Sequence, residues 1–129
     1  MRPFLEKSQA QGVWFMLHLQ SYLANTEHKQ KEFIKLLYNT AKYFPCTDCS
    51  NHARAYLDRY PVEYGFDISH STPAVFIYMF EFHNFVNQRL NKPLADFNDV
   101  YEFYSTLVSS RDNGVRVSRK KPCKDCQTR

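Results

Sequence analysis

Apolar residues recur along this chain at three- and four-residue steps, the period of amphipathic helices. From about Gln9 to Leu23, Trp14, Leu17, His18 and Tyr22 share one face. A polar break at Ala24-Asn25-Thr26 follows, and Thr26 is placed to cap a second helix from about Glu27 to Tyr43, with Phe33, Leu36, Leu37 and Phe44 facing inward. Pro45 punctuates the chain, and a third helix is expected over Thr47 to Arg59. Tyr60 to Thr72, with Pro61 and Gly65, reads as a connecting loop. Ser71 or Thr72 then caps a long fourth helix that starts at Pro73 and runs to about Asn91, where Lys92-Pro93 ends it. Asp96 or Asn98 opens a short fifth helix through Val108. Strand-like alternation is scarce, so the pattern predicts an all-α four-helix bundle with a short fifth helix and no sheet.

The last segment breaks this pattern. From Arg111 onward only Val115 and Val117 are apolar apart from two cysteines, and seven basic residues stand against Asp112 and Asp125. Such a stretch cannot bury enough surface to order itself, so it is expected as a flexible basic tail. The chain thus divides into a helical domain, residues 1–110, and a tail, residues 111–129. The whole chain carries a net charge of +4 and the tail a net +5, which leaves the body near neutral and makes nucleic acid an unexpected partner. Three glycines cannot build a Gly-rich phosphate loop, which excludes the common nucleotide-binding motifs. No apolar run reaches membrane-spanning length, and the first residues do not read as a signal peptide, so a non-membrane protein is expected.

The four cysteines carry the chemistry. They form two CxxC pairs, Cys46-Thr47-Asp48-Cys49 and Cys123-Lys124-Asp125-Cys126. The first pair falls at the start of the third helix, where the helix dipole favours a thiolate. His52 sits one turn beyond Cys49 and is placed to tune it. Two vicinal dithiols in one chain fit a relay by thiol–disulfide exchange. The same four sulfurs also make a Cys₄ zinc set, although Ser50 to Pro122 separates them by far more than the roughly 15–20 residues of a zinc ribbon. A redox enzyme and a zinc-stabilised helical interaction module therefore both remain open from the cysteines alone. The stripe Trp14, His18, Tyr22 and the face shared by His83 and Asn87 add aromatic and polar groups suited to a planar ligand.

Taken in order, Trp14-x-x-x-His18-x-x-x-Tyr22, Pro45-Cys46-x-x-Cys49 and His83-Asn84-x-Val86-Asn87-x-x-Leu90-x-Lys92-Pro93 resemble the Erv/ALR family of flavin-linked sulfhydryl oxidases. The run from Cys46 to Leu57, with Phe82-His83-Asn84 and Arg89-Leu90-Asn91-Lys92, is most similar to compact members encoded by large DNA viruses. The resemblance implies a helical bundle that holds FAD non-covalently, forms a homodimer and uses no metal. It implies Cys46 and Cys49 as the catalytic pair, with Cys46 meeting incoming dithiols and Cys49 against the flavin. Trp14, His18, Tyr22, Cys49, His52, His83, Asn84, Val86, Asn87, Leu90, Lys92 and Tyr104 would contact the cofactor, and Cys123 and Cys126 would form a shuttle disulfide. The implied partners are dithiol-containing proteins or a thioredoxin-like relay protein, with molecular oxygen as acceptor and hydrogen peroxide as product. The implied location, for a viral protein, is host cytoplasm or virion. The chain departs from the family pattern at Ala10-Gln11, where Gly-Arg is common, and at Tyr104, where tryptophan is usual.

Overall fold

The computed structural model describes residues 7–112, with side chains from Ala10 onward. Five helices follow one another: α1 (Lys7–Leu23), α2 (Glu27–Tyr43), α3 (Thr47–Arg59), α4 (Ala74–Arg89) and α5 (Phe97–Asp112). The expected bounds of α2 and α3 are those observed. Thr26 caps α2 as anticipated, its Oγ1 accepting from the Lys29 N–H at 3.1 Å. Helix α5 is not short: its sixteen residues match α4, and it continues past Val108 to Asp112. Arg111 and Asp112, expected to open the tail, end α5 instead, and residues 113–129 lie outside the described residues. Among the described residues no helix is long and apolar enough to cross a membrane.

Helix α2 packs mainly on α3, and α1 mainly on α4, with α5 laid against α1. Leu17, Phe33, Leu37, Leu57, Val75, Met79 and Phe82 meet at the centre. Leu36 does not join them and is 44% exposed. The buried stripe of α2 is Gln30, Phe33, Leu37 and Ala41, and Leu36 lies about 100° around the helix from Leu37.

The connection from α3 to α4 corrects two expectations. It contains a two-stranded antiparallel pairing, β1 (Phe66–Asp67) with β2 (Thr72–Pro73), where no sheet was foreseen. Neither Ser71 nor Thr72 caps α4, and Pro73 stands at the N-cap rather than inside the helix. The pairing sets Thr72 opposite Asp67 and buries its hydroxyl without a partner, while the Ala74 N–H donates to the Gly65 carbonyl at 2.8 Å. Gln30, wholly buried, grips Gly65 at both its N–H and its carbonyl, each at 3.3 Å. Gly65 has φ of +136°, a backbone conformation that residues with side chains rarely adopt, so this position favours glycine.

At its far end α4 closes in a Schellman motif. The Asn91 N–H donates to the Gln88 carbonyl and the Lys92 N–H to the Asn87 carbonyl, with Asn91 at φ 56°. This turn stops the helix before Pro93 and brings Lys92 back toward the bundle end that carries the dithiol.

Candidate functional site: a dithiol beside an apolar cavity

Cys46 is the N-cap of α3 and Cys49 lies three residues on, so the two sulfurs meet across the first turn. The Cys46 Sγ accepts the Cys49 N–H at 3.3 Å, doing with sulfur what serine does at ordinary caps. Ser50 ties this turn to α2 by donating its hydroxyl to the Ala41 carbonyl at 2.5 Å, which also satisfies an orphan acceptor near the α2 C-terminus. Both cysteines are free thiols, Cys46 exposed and Cys49 half-buried.

Their acidities are driven apart, which revises the expectation that the helix start favours a thiolate at both. Hydrogen bonds from Cys49, side chain and backbone, hold the Cys46 thiol below its ordinary range. Burial pushes the Cys49 thiol up, and the neighbouring Cys46 adds to the rise; Arg89 opposes both, by its charge and by side-chain hydrogen bonding. His52 is fixed in orientation by a 2.6 Å hydrogen bond from its Nδ1 to the Asp48 carbonyl. Because a carbonyl only accepts, Nδ1 carries the proton, and a neutral His52 presents Nε2 as an acceptor.

Cys49 borders a cavity of about 190 Å³ between α1, α2, α3 and α4. Its walls are apolar: Trp14, Leu17, Leu37, Phe82 and Val86 face Cys49 across it. Among the described residues, the charged groups on its lining are Arg89 and Lys92, with His52 the one other titratable side chain beside Cys49.

Behind Trp14 lies an aromatic layer. The Trp14 and His83 rings stack at 3.9 Å with 4° between their planes. His83 Nδ1 and His18 Nε2 share a 2.8 Å hydrogen bond, and His18 stacks on Tyr104 at 5.7 Å. Burial lowers His18 to about 4, helped by the charge on His83; burial lowers His83 to about 4, helped by Lys92. His18 is 5% exposed, and its Nδ1 is buried with no partner. Burial also raises Tyr104, to about 12.

Of the residues singled out from sequence, Trp14, Cys49, His52, Val86, Leu90 and Lys92 line the cavity together. His18, His83 and Tyr104 stand in the layer behind Trp14, and Tyr22 lies further along α1 against Phe76 and Tyr101. Asn84 and Asn87 do not reach the cavity. Asn84 holds the loop before α5, donating to the Ala95 carbonyl at 3.0 Å and accepting its N–H at 2.9 Å, and Asn87 donates to Asn84 at 3.4 Å. Arg89 was read only as part of a motif run and given no role. Its spacing from Phe82 and Val86, seven and three residues, puts it on their face of α4 and was the available signal. Cys123 and Cys126 lie outside the described residues. Among the described residues no three His, Cys, Asp or Glu side chains gather to hold a metal ion.

A model of the Erv1/Alr family matches residues 11–105. A FAD-linked sulfhydryl oxidase of African swine fever virus is 32% identical over 98 residues, 74% of this chain and 78% of the viral protein. The FAD-linked sulfhydryl oxidase ERV2 of Saccharomyces cerevisiae is 33% identical over 84 residues, covering 65% of this chain and 40% of the yeast protein. Among solved structures, the yeast Erv1 core superposes with a TM-score of 0.60 at 24% identity, over 77% of this chain and 83% of that one. The FAD-binding domain of Erv1 from Saccharomyces cerevisiae also scores 0.60, at 21% identity over 76% of this chain and 91% of that one. These two likenesses speak for the fold.

Proposed function

The chain belongs to the Erv1/Alr family, and on that premise we propose that it is an FAD-dependent thiol oxidase that makes disulfides in protein substrates. The observation that carries the reading is the asymmetry of the dithiol: one sulfur is open to solvent at a helix cap, the other borders an apolar cavity. A flavin fits these residues. The cavity takes a flat apolar ring rather than a whole dinucleotide, Trp14 offers an aromatic face, and the unpartnered His18 Nδ1 awaits a polar group. Lys92 and Arg89 supply cations at the lining for an anionic ligand. When bound, the flavin supplies a two-electron acceptor that molecular oxygen reoxidises with formation of hydrogen peroxide.

The protein's own part is exchange. A substrate thiolate attacks the accessible Cys46 sulfur of the Cys46–Cys49 disulfide. A substrate–Cys46 bond forms, and Cys49 leaves with the electron pair. The second substrate thiol loses its proton and attacks that mixed disulfide, closing the substrate disulfide and releasing Cys46. The two electrons then rest on the protein dithiol, with Cys49 at the cavity wall. His52 Nε2 is available as a proton acceptor beside the pair. The tail pair Cys123/Cys126 enters the same scheme as a relay between substrate and Cys46. Phe15, Met16 and Leu23 on α1, with Leu36 and Tyr43 on α2, are exposed, and a second copy of the chain would cover them in a homodimer.

Protein purified without added flavin should show oxidised-flavin absorption that dithiothreitol bleaches and air restores; a colourless protein that takes up no FAD overturns the reading. Cys49→Ser should keep bound flavin and lose turnover with dithiothreitol altogether. Deleting residues 113–129 should spare dithiothreitol oxidation and slow oxidation of a reduced protein substrate, measured by oxygen uptake; equal rates on the protein substrate remove the relay.

A further inference from the structure

Cys49 sits in a contradictory place. Its surroundings withhold water, which disfavours a thiolate, yet exchange at Cys46 requires Cys49 to depart as one. Around the cavity, α1 contributes Ala10, Val13, Trp14 and Leu17, and α2 contributes Leu37, Thr40, Ala41 and Phe44, none of them charged. From α3, His52 is turned to the Asp48 carbonyl, and Cys46 is itself a like-charged neighbour once ionised. Among the described residues the permanent cations on the lining therefore come from the end of α4, where Arg89 and the following Lys92 stand.

Arg89 is the better placed of the two. It ends α4, half-buried, on the lining of the cavity that Cys49 borders, and its charge opposes the rise that burial causes in the Cys49 thiol. Lys92 acts instead on His83. A guanidinium also has what an ammonium lacks here: a rigid fork of donors that directs a charge partner as well as neutralising it. We infer that Arg89 is a positioning residue for the dithiol, holding the departing Cys49 sulfur as an anion turned into the cavity. This rests on the assignment of Cys49 as the cavity-facing redox sulfur. Arg89 then serves twice. It makes Cys49 a better leaving group when Cys46 is attacked, and it keeps the resulting thiolate against the apolar wall rather than in solvent.

The test isolates one sulfur in the full-length chain. With Cys46, Cys123 and Cys126 each changed to serine, Cys49 is the sole thiol, and its alkylation by iodoacetamide is followed across pH by mass spectrometry. Adding Arg89→Gln should raise the midpoint of the alkylation profile by about one pH unit or more, the size of effect expected from removing an adjacent opposite charge. Arg89→Lys should recover part of that shift, and Lys92→Gln should move the midpoint much less. An unchanged midpoint in Arg89→Gln, with helical circular dichroism intact, overturns the inference, as does an equal shift from Lys92→Gln. Should Arg89→Gln not fold, Arg89→Met keeps the apolar stem and is read the same way. Flavin absorption of the same samples reports separately on the oxidase assignment, so the two cannot fail indistinguishably.

Discussion

In the aromatic layer His18 is buried, His83 half-buried, and both imidazoles stay neutral down to about pH 4. At the dithiol mouth Cys46 is exposed, and its thiol ionises more readily than an ordinary cysteine. The two regions flank one cavity and handle charge in opposite ways. The layer is held by rings packed on rings, and a charge placed there has no solvent to compensate it. The mouth is held by one cap bond and one serine anchor, which leaves its outer sulfur free to meet a partner. The function proposed above, sheltering a planar ring while exchanging disulfides with other proteins, calls for this division.

The contrast breaks most severely if the layer loses its support. Phe76 is fully buried and touches the rings of His18, Tyr22, Phe97 and Tyr104. Phe76→Ala should cost about 3–5 kcal/mol of stability, measured by urea denaturation, because the layer has no other side chain to fill the space.

Acid probes the same layer more gently. A depression from 6.5 to about 4 corresponds to about 3 kcal/mol for the buried His18 and, after solvent screening, to less for the half-buried His83. The folded pKa is the lower one, so this stability is fully present above about pH 6.5 and is lost as the pH falls to about 4. Unfolding midpoints measured between pH 7 and 4 should drop accordingly, and a His18→Phe, His83→Phe double variant should flatten that part of the curve. An unaltered slope would mean that the pair is not the acid-sensitive element.

At the mouth the effect on stability should be slight and the effect on function large. Cys46→Ser retains a capping oxygen and should change stability by less than about 0.5 kcal/mol, whereas Cys46→Ala should cost about 1 kcal/mol at most. Both should abolish disulfide exchange with a protein substrate. A large loss of stability in Cys46→Ser would show that the sulfur is structural as well as reactive.

Much of the architecture was legible because it is locally encoded. Thr26 and the four-residue step from Phe33 to Leu37 predict α2, and the break at Pro45 predicts where α3 begins. The cap expected before α4 failed for a non-local reason. Thr72 reads as a cap, yet it is drawn into a strand pairing set by Gln30 gripping Gly65, thirty-five residues away. The hold of Asn84 on Ala95 likewise joins residues eleven apart, beyond the reach of helical spacing. The role of Arg89 is not legible in the sequence, because it depends on which helix faces the end of α4.

The sequence by itself determined the five helices, the dithiol at a helix start and the ordered aromatic, cysteine and histidine motifs, because periodicity, capping and spacing act within a few residues of the chain. Only the tertiary structure decided that His18 pairs with His83 across sixty-five residues and that Arg89 opposes the burial of Cys49. Those outcomes depend on desolvation and on charges brought close by packing, and neither exists until the helices have met.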